Sequence, residues 1–264
     1  MLKNFLLASS LLLAAGCTTV PITGRRQLSL VSDSEMNTLA ITQYKQTLGE
    51  AKLSTNSADV AEVRRVGQRI SQAVEQYFKQ QGQSAQLEGY QWEFNLIDDP
   101  KTVNAWCMPG GKVAVYSGIL PITKDENGLA VVMSHEISHA VAKHGAERMS
   151  DQLAAQVGGA ALSTALSQNP TTTKSLFLTA VGGASQVGML AFSRRQESEA
   201  DHLGLIFMAM AGYNPEGAVP FWERMAAQSQ GGTPEFLSDH PADATRIADI
   251  KSLLPEAMKY YKPR

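Results

Sequence analysis

The chain has 264 residues, 18% of them charged, with a formal net charge of -2 and an isoelectric point near 6.2. That balance offers no basic field for phosphates, so nucleic acid is excluded as an expected partner. Two cysteines, Cys17 and Cys107, are too few for a disulfide-stapled scaffold; the roughly 248 residues after an N-terminal leader suffice for one hydrophobic core.

The leader reads as a signal peptide over residues 1–16. Met1-Leu2-Lys3-Asn4 is a short basic start, residues 5–13 are apolar, and Ala14-Ala15-Gly16-Cys17 closes with small residues and a cysteine. This closing run resembles a bacterial lipobox, in which cleavage exposes Cys17 for lipidation; several acyl chains anchor stably where one is marginal. The apolar run is shorter than the roughly 17 residues a membrane span needs. Thr18 is compatible with transfer to the outer membrane. The alternative is a secretory signal cleaved elsewhere. Residues 17–32 then form a tether and residues 33–264 a single domain.

Helices are predicted at 34–48 and 59–81, the second with a core face of Val60, Val63, Val66, Gly67, Ile70 and Val74. Strands follow near 91–97 and 112–116. Asn104 to Tyr116 reads as two short strands about a Pro109-Gly110-Gly111 turn. Two readings stay open for them: an edge that pairs with an extended peptide, or an ordinary hairpin with Trp106 and Val113 in the core. The fold class is α+β, mostly helical, with a small sheet.

A half-buried helix is predicted from Glu126 through Val141 to His144 and Gly145, and it contains His135-Glu136-Ile137-Ser138-His139. Positions i and i+4 share a helix face, so both imidazoles can converge on one zinc ion. Glu136 lies one step round, where it can act as general base toward water whose pKa zinc lowers to about 7. The bland alternative is two satisfied polar groups on a partly buried helix. Cys107 as nucleophile is disfavoured, because no base is in evidence for it.

Catalytic zinc usually keeps three protein ligands and one open position. On the segment from Arg194 to Gly204, Glu197 has Asp201 four residues on, on the same face, and is the better third ligand; Asp201 can accept a hydrogen bond from His135. Glu199 points roughly 200° away and reads as a solvated face pairing with Arg194 and Arg195. Between them, residues 150–192 read as packed small-residue helices or a lid. His144 reads as structural support near a helix end, and His202 as pointing elsewhere.

His-Glu-x-x-His followed by Glu197-x-x-x-Asp201 resembles the gluzincin metallopeptidases. With Asn104-Ala105, Pro109-Gly110-Gly111 and His240-Pro241, the chain is similar over about residues 25–254 to the family of the CaaX prenyl endopeptidase and the bacterial heat-shock membrane zinc protease. Within it the chain resembles the LoiP and BepA type of periplasmic lipoprotein protease, with no helical-repeat domain of the BepA type expected. The resemblance implies one zinc per chain on His135, His139 and Glu197, and substrate pairing at Asn104 and Ala105. It places His240 near the metal, where three roles stay open. His240 stabilises the oxyanion, with Arg246 helping from one helical turn on, or is a fourth ligand in a resting state, or is a loop residue without function. Unfolded or misassembled envelope proteins are the implied substrates, the outer membrane facing the periplasm the location, and its assembly machinery a candidate partner. A non-proteolytic chaperone on the same fold is the rival reading, and a structural metal lipoprotein a third. Neither gains from an acid placed as a base.

Overall fold

The computed structural model describes residues 17–157, 173, 176, 193–228, 235–240 and 244–263. The leader and most of the helical segment expected at 150–192 lie outside the described residues. Described elements run β1 (Cys17–Thr19), β2 (Arg26–Leu28), α1 (Asp33–Glu50), α2 (Ser57–Gln80), β3 (Glu93–Ile97), β4 (Ala105–Met108), β5 (Lys112–Tyr116), α3 (Leu120–Thr123), α4 (Glu126–Val141), α5 (His144–Val157), α6 (Arg194–Met210), α7 (Ala218–Ala227), α8 (Glu235–Asp239) and α9 (Ala244–Ala257). The fold is mostly helical with two small sheets, as the fold class anticipated. No helix of the described residues is long and apolar enough to cross a membrane.

Helix starts follow local chemistry. Ser32 and Glu35 close a capping box on α1, and Asn56 accepts from two backbone amides of α2. The face of α2 is placed where its period puts it: Val63, Val66, Gly67, Ile70 and Val74 are buried, and Val60 packs partly buried on the same core. β3 pairs in parallel with β5, and β4 pairs antiparallel with β5, so the order is β3-β5-β4 with β4 at an edge. All four β4 residues are buried.

Two expectations need correction. Helix α4 is not half-buried: every residue from Gly128 to Val141 is buried, because it is the central helix of the main core. Nor does it continue to Gly145. Lys143 adopts φ 60, its amide turns back to Ala140 O at 3.1 Å, and α5 begins anew at His144. Glycine normally marks such a left-handed stop; a lysine there leaves no signal in sequence.

Two glycines set the position of α4. Gly204 on α6 approaches so closely that an added Cβ would sit 3.2 Å from the His135 amide nitrogen, which holds the carboxylate helix against the histidine helix. At Gly128 an added Cβ would lie 2.1 Å from the Thr123 carbonyl oxygen, while the Gly128 amide is capped by Asp125 at 2.8 Å. The clash is with backbone and cannot be relieved by a rotamer. Gly128→Ala is therefore expected to lower stability by about 1–3 kcal/mol, read as a lower urea midpoint with an unchanged slope.

Candidate metal centre

Helix α4 supplies His135 and His139 one turn apart, α6 supplies Glu197, and the residue after α8 supplies His240. One donor atom from each of these four buried residues lies within 4.8 Å of all the others. The His135 and His139 Nε2 atoms are 3.1 Å apart. His240 Nδ1 is 3.2 Å from His135 Nε2 and 2.8 Å from Glu197 Oε1. Glu197 Oε1 is also 3.3 Å from His139 Nε2.

This donor set fits a zinc ion. Imidazole lone pairs and carboxylate oxygens crowded in a buried space repel one another unless a cation sits among them. The electrostatics agree. Burial opposes charge on His135, yet hydrogen bonds with Asp201 and Glu197 outweigh it and raise its pKa. Burial would raise the Glu197 pKa, but His240, His135 and His139 hold that carboxyl well below its usual range. Burial drives His139 well below its usual pKa, the direction that favours the neutral ring.

Behind the ligands, Asp201 Oδ1 lies 3.0 Å from His135 Nδ1, which turns the opposite nitrogen, Nε2, toward the cluster. Burial would raise the Asp201 pKa, but Arg246 and His135 lower it. Arg246 donates to both Asp201 oxygens at 2.8 Å, lies 2.9 Å from Glu197 Oε2 and stacks 3.6 Å over the Trp222 ring. Its guanidinium is therefore engaged in orienting the Asp201 and Glu197 carboxylates. Glu136 is buried beside the cluster, its Oε1 3.5 Å from His240 Nε2.

The edge strand carries a second difference. Tyr116 N donates to Asn104 O at 3.0 Å, so Asn104 faces β5, and Ala105 and Cys107 face the outer edge by alternation. The Ala105 amide is taken by Asn104 Oδ1 at 2.8 Å, and Phe236 N donates to Val103 O. Asn104 is thus buried and locally engaged, and the edge groups that face outward beyond these are Ala105 O and the Cys107 backbone.

Residues 67–254 match the model of Peptidase family M48. The chain belongs to this family. Among M48 relatives, mitochondrial metalloendopeptidase OMA1 of Schizosaccharomyces pombe is 37% identical over 243 residues, covering 90% of this chain and 66% of that protein. Human OMA1 is 28% identical over 246 residues, covering 90% and 46%. The beta-barrel assembly-enhancing protease of Escherichia coli is 31% identical over 166 residues, covering 61% and 34%. The chain spans less than two thirds of the length of these relatives.

Sequence reasoning missed Trp222 under Arg246 and the contact of Arg25 with Glu199; His144, read as structural support, lies with its Nδ1 2.8 Å from His139 Nδ1. Glu199 is buried, not solvated, and binds neither Arg194 nor Arg195 but Arg25 and Thr23. One signal was available. Leu203-Gly204-Leu205-Ile206-Phe207-Met208-Ala209 is apolar all round, which marks the C-terminal half of α6 as buried. His202 does point elsewhere, 2.9 Å from Glu256.

Proposed function

We propose that this chain is a zinc metalloendopeptidase acting on unfolded or misassembled cell-envelope proteins, anchored by lipid at Cys17 to the outer membrane and facing the periplasm. The observation that carries the hydrolase reading is Glu136, a buried carboxylate next to a converged His135, His139 and Glu197 donor set. When bound, zinc supplies Lewis acidity, lowering the pKa of water to about 7 and polarising the peptide carbonyl.

The residues of the chain do the rest. Glu136 takes a proton from the attacking water and passes it to the departing amine as the C–N bond breaks, leaving one carboxylate and one amine. Asp201 holds the His135 ring, and Arg246 holds Asp201. Ala105 O and the Cys107 backbone offer an extended peptide main-chain partners beside α4. The envelope setting is supported by the Cys17 segment, by the resemblance to periplasmic lipoprotein proteases and by the Escherichia coli relative, a beta-barrel assembly-enhancing protease. The OMA1 relatives are mitochondrial and support the chemistry, not the compartment. Outer-membrane assembly machinery is the partner this reading favours.

His240 completes a four-donor set, and a closed zinc has no position for water. The resting enzyme is therefore expected to be held in check, and His240→Ala should raise cleavage of an unfolded protein severalfold in a gel-based assay. A fall in cleavage would assign His240 to transition-state stabilisation instead. The peptidase reading as a whole is tested by Glu136→Gln, treated below.

A further inference from the structure

The segment after Cys17 is not a plain tether. β1 and β2 pair antiparallel, Val20 is buried in the main core, and the turn between the strands brings exposed Thr23 and half-buried Arg25 against the buried Glu199. Thr23 Oγ1 donates to Glu199 Oε1 at 2.7 Å, and Arg25 Nε donates to Glu199 Oε2 at 2.6 Å. The other end of the Arg25 fork holds Glu147 on α5, at 2.8 Å from Nη2 to Oε2. Gln27 follows with a 2.8 Å bond to the Ala142 carbonyl, at the break between α4 and α5.

From Glu199 the chain of contacts runs to the metal centre. His144 Nε2 lies 3.3 Å from Glu199 Oε2, and His144 Nδ1 lies 2.8 Å from His139 Nδ1. The carboxylate of Glu199 accepts, so His144 Nε2 carries a proton and donates to it; in a neutral imidazole the other nitrogen, Nδ1, is then the acceptor, and His139 Nδ1 is the donor to it. The His139 lone pair is left on Nε2, the atom facing His135 and Glu197. The two histidines of α4 are thus oriented in parallel ways. Asp201 acts directly on His135 and is matched by Arg246 from α9; Glu199 acts on His139 through one intervening imidazole and is matched by Arg25 from the N-terminal hairpin. The break at Lys143 makes this possible by folding His144 back onto the ring five residues before it.

We propose that Arg25, Glu199 and His144 are positioning residues for the metal ligand His139, and that docking of the hairpin that starts at Cys17 completes this support. The proposal rests on the zinc-site reading, with His139 as a ligand through Nε2. Losing Arg25 would leave Glu199 and Glu147 buried without their shared cation, and losing the Glu199 charge would free the His144 and His139 tautomers.

The test uses the full chain. Zinc affinity, read by competition with a chromogenic chelator, should fall about 10- to 100-fold in Glu199→Gln. Arg25→Ala should fall in the same direction, and Arg25→Lys, keeping the charge without the fork, should recover part of the loss. The visible spectrum of the cobalt-substituted protein should shift in Glu199→Gln, and kcat for an unfolded protein should fall with KM little changed. A merely structural role would move thermal stability but not the cobalt spectrum. Native affinity and spectrum in folded Glu199→Gln would overturn the proposal; if that variant does not fold, native affinity in Arg25→Ala would do so. Zinc affinity needs no turnover, so a failure of the peptidase reading, seen as undiminished cleavage by Glu136→Gln, is distinguishable from a failure of this relay.

Discussion

Glu136→Gln is expected to cut cleavage of an unfolded protein by about 10²- to 10⁴-fold, the usual contribution of a positioned general base, while zinc content stays at about one per chain. The two readouts separate because of where Glu136 stands. It is not one of the four residues whose donor atoms converge, so an amide in its place removes proton acceptance without removing a ligand. The substitution is nearly isosteric, so the surrounding core, in which every residue from Gly128 to Val141 is buried, need not repack. A non-proteolytic chaperone on this fold would be indifferent to the change. Cleavage at the native rate by zinc-loaded Glu136→Gln would remove the assigned base and, with it, the hydrolytic reading.

Stripping the metal with a chelator is expected to abolish cleavage and also to lower the melting temperature, with both restored by one equivalent of zinc. The second effect follows from linkage: a ligand that binds only the folded chain at a thousandfold excess over its Kd stabilises by about 4.1 kcal/mol. For a domain of this size that is roughly 8–16 °C. A local reason adds to it. Without a cation, three buried imidazoles and the Glu197 carboxylate face one another within 4.8 Å, an arrangement that burial makes costly. Full activity in demonstrably metal-free protein would overturn the zinc site, and with it the relay through His144.

The pentapeptide at His135, the pairing of Glu197 with Asp201 and the core face of α2 could be read from spacing alone, because helical period is a local property: four residues on is the same face wherever the helix lies. Turn chemistry likewise placed β4 and β5 about Pro109-Gly110-Gly111. The errors share a different cause. Glu199 was read as solvated and paired with the neighbouring Arg194 and Arg195; its partners, Thr23 and Arg25, are more than 170 residues away. The contacts of Arg246 with Asp201, 45 residues earlier, and with Glu197 were not foreseen from spacing either. The break at Lys143 gave no warning because it uses φ 60 without glycine.

Local spacing was thus sufficient for which side chains can share a metal and which acid can serve as base. It was silent on what stands behind each ligand. Burial on all sides, the fold-back of His144 and the docking of the hairpin onto Glu199 depend on distant segments meeting. The partner of a buried charge is chosen by proximity in space, which periodicity along one helix does not encode.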